Sequence, residues 1–125
     1  MIPLIQRLAQ LPFWLRTLLF IAVCAGLLYT GLRTKPIAQL FDQEDKLHHL
    51  LGFFALAFSC RLAFLRVKLH WIALSCVLAG VAIEYAQALI PLRTASLYDA
   101  LANTFGVALG LTAGWLCTRP LQIKY

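Results

Sequence analysis

The chain has 125 residues, of which 62% are apolar and 13% charged, and a mean hydropathy of +0.80. Soluble domains carry about a quarter charged and about half apolar residues, so this composition excludes a water-soluble globular fold and intrinsic disorder. The net charge of +6 would suit a nucleic-acid binder, but the basic residues flank long apolar runs, where Lys and Arg act as membrane anchors. No nucleic-acid partner is expected.

In chain order, Leu4, Ile5, Leu8 and Leu11 fall on one helical face opposite Gln6, Arg7 and Gln10. This predicts a short interfacial helix, limited by Pro3 and Pro12. A helix needs about 20 mostly apolar residues to cross a bilayer. Four stretches qualify: 15–32, 47–65, 69–90 and 100–118. The first reads as a retained span. Its apolar run is too long for a signal-peptide core, and Thr30-Gly31-Leu32-Arg33 lacks an Ala-x-Ala cleavage pattern. Only Arg66-Val67-Lys68 separates the second and third spans, so these form a hairpin. The expected fold is an all-α membrane protein: one domain over residues 1–125, with four transmembrane helices in an antiparallel bundle.

Charge sets the expected orientation. With four spans, both tails and the second connection share a side. That side carries Arg7, Arg16, Arg61, Arg66, Lys68, Arg119 and Lys124 without an acid. The other carries Arg33, Lys35, Lys46 and Arg93 with all five acids, Asp42, Glu44, Asp45, Glu84 and Asp99. The positive-inside bias then makes both termini cytoplasmic. The aromatics divide along the same axis, with Trp14, Trp71 and Trp115 at inner ends and Tyr29, Tyr85 and Tyr98 at outer ones.

Cys24, Cys60, Cys76 and Cys117 fall one per span with no CxxC spacing. They read as small packing residues, and neither a disulfide framework nor a zinc motif is indicated. His70 beside Trp71 reads as a headgroup-level residue, whereas His48 and His49 open a span on the acidic side.

Ionisable groups inside a span are costly and usually face the bundle interior. Glu84 lies about four turns from the inner end of the third span, and Gln87 shares its face. The fourth span opens with Asp99, followed at helical spacing by Asn103, Gly106, Gly110 and Gly114. Such a small-residue stripe lets a neighbouring backbone approach closely and turns Asp99 and Asn103 inward. Asp45, Lys46 and His49 crowd one end of the second span, and the third connection adds Arg93 and Ser96. Three helices and one connection thus bring these groups to one rim.

In this reading His49 and Glu84 are the candidate acid/base pair, with Asp99 orienting them. Lys46 and Arg93 meet an anion, and Gln87, Ser96 and Asn103 line the binding site. Asp45 and the three glycines are structural. No cofactor or metal is expected. An ion held by His49, Glu84 and Asp99 is geometrically feasible, but the spacing is no metal motif.

The same residues resemble the VanZ-like family of small bacterial membrane proteins. The likeness rests on Asp45-Lys46-x-x-His49 opening a span, then Glu84-x-x-Gln87, and then Arg93-x-x-Ser96-x-x-Asp99-x-x-x-Asn103-x-x-Gly106-x-x-x-Gly110. An aromatic often follows the family histidine; here Leu50 does, with Phe53 and Phe54 a turn later. The resemblance implies a bacterial inner-membrane location. The family's namesake is an accessory protein that lowers susceptibility to the glycopeptide teicoplanin, a cell-surface phenotype where lipid-linked wall precursors are exposed.

Three functions fit. The first is a site binding or modifying an anionic or lipid-linked envelope headgroup. The second is a non-catalytic scaffold for a membrane-protein partner or homodimer. The third is a small proton-coupled transporter or flippase.

Overall fold

Long apolar runs broken by prolines and by short polar connections fold here as helices. A computed structural model describes residues 4–32, 44–91 and 97–122. A single helical turn, α1 (Leu4–Arg7), runs into a 3₁₀ turn at Leu8–Gln10, and four long helices follow: α2 (Phe13–Gly31), α3 (Glu44–Ala63), α4 (Leu69–Ala88) and α5 (Leu97–Gln122).

The helix ends follow local chemistry. Pro12 caps α2, and its carbonyl accepts hydrogen bonds from the Leu15 and Arg16 amides. This starts the helix two residues before the expected span, where a proline without an N–H costs nothing. Helix α3 starts earlier too, at Glu44, because acidic residues favour a helix N-terminus. Helix α4 stops at Ala88, short of the expected Ile90, since residues preceding a proline such as Pro91 leave helical geometry. At the other end of the chain α5 continues beyond its expected span to Gln122.

Helix α2, helix α4 and the Leu97–Arg119 portion of α5 are long and apolar enough to cross a membrane. Helix α3 has the length, with 20 residues, but Glu44, Asp45, Lys46, His48, His49 and Arg61 make it more polar. Its position explains this, because α3 packs against α2, α4 and α5 and is the central helix. The core joins Phe53, Leu56, Ala57 and Cys60 of α3 to Ile72 and Cys76 of α4 and Val107 of α5. Helix α2 buries no residue fully and leans on this core through Phe20, Val23, Cys24 and Leu27. A second cluster joins Ala9, Leu62 and Cys117. The N-terminal turn is therefore packed on the bundle end as well as amphipathic.

The glycine stripe sets the closest approach. A Cβ on Gly106 would collide with the Leu50 carbonyl oxygen and stand 3.0 Å from the Phe54 amide nitrogen. On Gly110 it would collide with the Phe54 carbonyl oxygen, and on Gly114 it would stand 2.9 Å from Arg61 Cγ. Residue numbers rise together along this contact, so α3 and α5 run in the same direction with their backbones nearly touching.

Arg61 locks the far end of that pair. Its side chain is 1% exposed. Nε donates to Thr118 Oγ1 at 3.2 Å, and Nη1 donates to the carbonyls of Leu65 at 3.1 Å and Val67 at 2.9 Å. These carbonyls close the α3–α4 connection, where arginine satisfies acceptors that the helix end leaves open. Arg16 Nη1 donates similarly to Leu62 O. The sequence marks both arginines only as positive charge on the inner side.

Candidate functional site

The site is built from helix ends. His49 lies in the second turn of α3, Asp99 in the first turn of α5, and Glu84 in the last turns of α4. Asn103 follows Asp99 by one turn. Glu84 is 7% exposed, Asp99 5% and Asn103 3%, and the His49 side chain is 18% exposed. Three helices that are distant in sequence thus converge on one imidazole.

His49 sits between the other groups. Its Nδ1 is 2.9 Å from Asn103 Oδ1 and 3.6 Å from Glu84 Oε1. On the other side of the ring, Nε2 is 3.8 Å from Asp99 Oδ2. With Asn103 Oδ1 as acceptor, the ring hydrogen is on Nδ1 and Nε2 faces Asp99. Asp99 Oδ1 and Asn103 Nδ2 are buried without a hydrogen-bond partner among the described residues. An unpaired buried polar group costs about 1–3 kcal/mol, so these two atoms are a reserve of unused bonding capacity.

Apolar groups pack closely around Asn103. Phe53, one turn after His49, is fully buried. Gly80 of α4 leaves the room that Asn103 occupies, since a Cβ there would stand 3.4 Å from Asn103 Nδ2 and 3.2 Å from the Phe53 ring. Neither Phe53 nor Gly80 was expected as part of the site. Gly80 has no partner at stripe spacing, so only the three-dimensional neighbour identifies it.

The remaining expected residues divide. Lys46 is half-buried and lies one turn before His49 on α3. The amide of Gln87 donates from Nε2 to Gly31 O at 2.9 Å, tying the end of α2 to α4. Gly106, Gly110 and Gly114 serve the α3–α5 contact. The Asp45 side chain, Arg93 and Ser96 lie outside the described residues.

Chemically, a histidine bracketed by two carboxylates and an amide can move a proton or hold a cation. The helix ends add to this. The N-termini of α3 and α5 carry the positive ends of their dipoles, whereas Glu84 lies near the negative end of α4, next to His49. Tyr85 and Tyr98, adjacent in sequence to Glu84 and Asp99, are both exposed.

The cysteines stand apart from this cluster. Cys60 and Cys76 are buried in the core, with Cys24 against them, and none of the four cysteines forms a disulfide.

No curated protein and no solved structure matches the chain. A family model described as VanZ/LLP1 matches residues 12–118, a stretch containing α2, α3, α4 and every residue of the His49 cluster. The chain belongs to the VanZ/LLP1 family.

Proposed function

We propose that this protein crosses a bacterial inner membrane four times, with both termini cytoplasmic. Its outer rim forms a polar pocket that binds, and acts on, the anionic headgroup of a membrane lipid or lipid-linked envelope precursor. The observation that carries this reading is the burial of His49, Glu84, Asp99 and Asn103 together by three helices at one end of the bundle. Ionisable groups at membrane depth are expensive and are kept for function, and hydrogen-bonded amides alone would tie the helices more cheaply.

Three features support an anionic headgroup. Two helix N-termini open toward the rim and favour negative charge. Lys46 lies on the same helix as His49, and the connection before α5 carries Arg93 and Ser96. The exposed Tyr85 and Tyr98 suit the headgroup level, where tyrosines collect. In this reading His49 exchanges a proton with the bound headgroup, Glu84 or Asp99 holds the balancing charge, and Asn103 fixes the ring. Where the ligand is a wall precursor, its capture would bear on teicoplanin susceptibility. A scaffold reading has less support, because the small-residue face of α5 is covered by α3 of the same chain.

Native mass spectrometry of the tag-free, detergent-purified protein tests this. The wild type is expected to retain a phospholipid or polyprenyl-phosphate adduct that Arg93→Ala and Lys46→Ala weaken about tenfold. Glu84→Gln should keep the adduct while losing any turnover of it. Bare protein throughout, or the same lipids on every variant, would contradict the pocket.

A further inference from the structure

We infer that His49, Glu84 and Asp99 form a binding site for one divalent transition-metal cation of the zinc class. The role of the ion rests on the headgroup reading above; the site itself rests on geometry. Each residue offers one ligand atom, and the three atoms lie within 4.8 Å of one another. At metal–ligand distances near 2.0–2.2 Å, tetrahedral ligand atoms stand about 3.4 Å apart. Side-chain rotations at His49, Glu84 and Asp99 are what bring the three atoms to that spacing.

The donor set is selective. One imidazole nitrogen and two carboxylate oxygens match zinc and its first-row neighbours. They are too few and too nitrogen-rich for calcium, which takes six to eight oxygens. Three protein ligands also leave a coordination position for water or for an oxygen of a bound phosphate.

Two further observations point to a ligand here. Asp99 is 5% exposed, yet its Oδ1 is buried with no hydrogen-bond partner among the described residues. The carboxylate thus keeps an open donor atom in the cluster. Asn103 Oδ1 meets His49 Nδ1 at 2.9 Å, which puts the ring hydrogen on Nδ1 and leaves the Nε2 lone pair toward Asp99 Oδ2 at 3.8 Å; Glu84, whose Oε1 stands 3.6 Å from Nδ1, joins that side by turning its carboxylate past the ring edge. Metal-bound histidines are held in this way, with the far nitrogen donating to an oxygen. The alternative occupant is a proton, making His49 an imidazolium between the two carboxylates.

The experiment distinguishes them with zinc as the probe. Tag-free protein in detergent is stripped with EDTA, given Zn²⁺, desalted and analysed for metal per chain; its melting temperature is read alongside. The site predicts about one Zn²⁺ per chain and a higher melting temperature with zinc. Retention should fall at least tenfold in His49→Asn and in Asp99→Asn variants that remain monodisperse and helical, and should be unchanged in Cys76→Ser. No zinc above background on the wild type, or retention that follows Cys76 rather than His49 and Asp99, overturns the site. Native mass spectra of the same samples separate this inference from the headgroup reading. Zinc on a chain without lipid supports the cation site and removes the headgroup reading. Lipid on a chain that never retains zinc does the reverse.

Discussion

Arg61 and Glu84 show that a buried charge in this small bundle can serve two different ends. Arg61 directs its Nε and Nη1 donors to Thr118 and to the carbonyls of Leu65 and Val67, so its burial closes a helix end. Hydrogen bonds from charged groups are worth about 1.5–3 kcal/mol each, and lysine cannot reproduce the guanidinium fork. Arg61→Lys should therefore destabilise the protein by about 2 kcal/mol, read as a lower melting temperature in detergent, while leaving any lipid adduct in place. An unchanged melting temperature would show that the fork is dispensable. Glu84 and His49 stand 3.6 Å apart, and His49 is tied to Asn103 at 2.9 Å. Asp99 beside them keeps an unused oxygen. A 3.6 Å separation is longer than a hydrogen bond, so the two groups do not tie α3 to α4 through a direct bond.

At the scale of elements, the α3–α5 pair is the frame that places the site. Its parallel register follows from Gly106 and Gly110 against the backbone around Leu50 and Phe54, which sets His49 beside Asn103. Gly106→Ala should force this pair apart and cost about 1–3 kcal/mol, whereas Gly26→Ala, with nothing within 4 Å of the added carbon, should leave the melting temperature unchanged. Equal effects at the two positions would argue against the close approach. Much of this frame is legible in the sequence. Apolar runs mark the helices, and Asp99, Asn103, Gly106 and Gly110 fall on one face by helical spacing alone. The partner of that face is not legible, because a small-residue stripe says that a backbone comes close without saying whose. For the same reason Gly80, Phe53 and the inward turn of Arg61 escape a one-dimensional reading. The amide of Gln87 lies on the face of Glu84, yet it bonds to Gly31 of α2, a choice made by packing.

At the scale of the whole molecule, the polar character of α3 and its central position belong together. The helix with the lowest claim to be a span is the one covered by the other three, as expected when polar groups avoid lipid. The proposed four crossings with cytoplasmic termini predict that a fluorescent protein fused to the C-terminus lights up in bacteria, while alkaline phosphatase fused there stays inactive. The reverse pattern would invert the topology and move the His49 cluster to the cytoplasmic face. The cluster would still be buried, but a headgroup of the outer leaflet could no longer reach it.

In the proposed function the His49 cluster is kept for chemistry, at the expense of stability. The most direct measurement is the melting temperature, in detergent, of a variant carrying His49→Leu and Glu84→Leu together. Replacing buried charged groups by apolar side chains of similar volume is often neutral or stabilising, and functional sites commonly cost stability. A melting temperature equal to or above that of the wild type is expected, with the headgroup adduct lost. A melting temperature several degrees lower would contradict that expectation and make the cluster a structural tie between α3, α4 and α5.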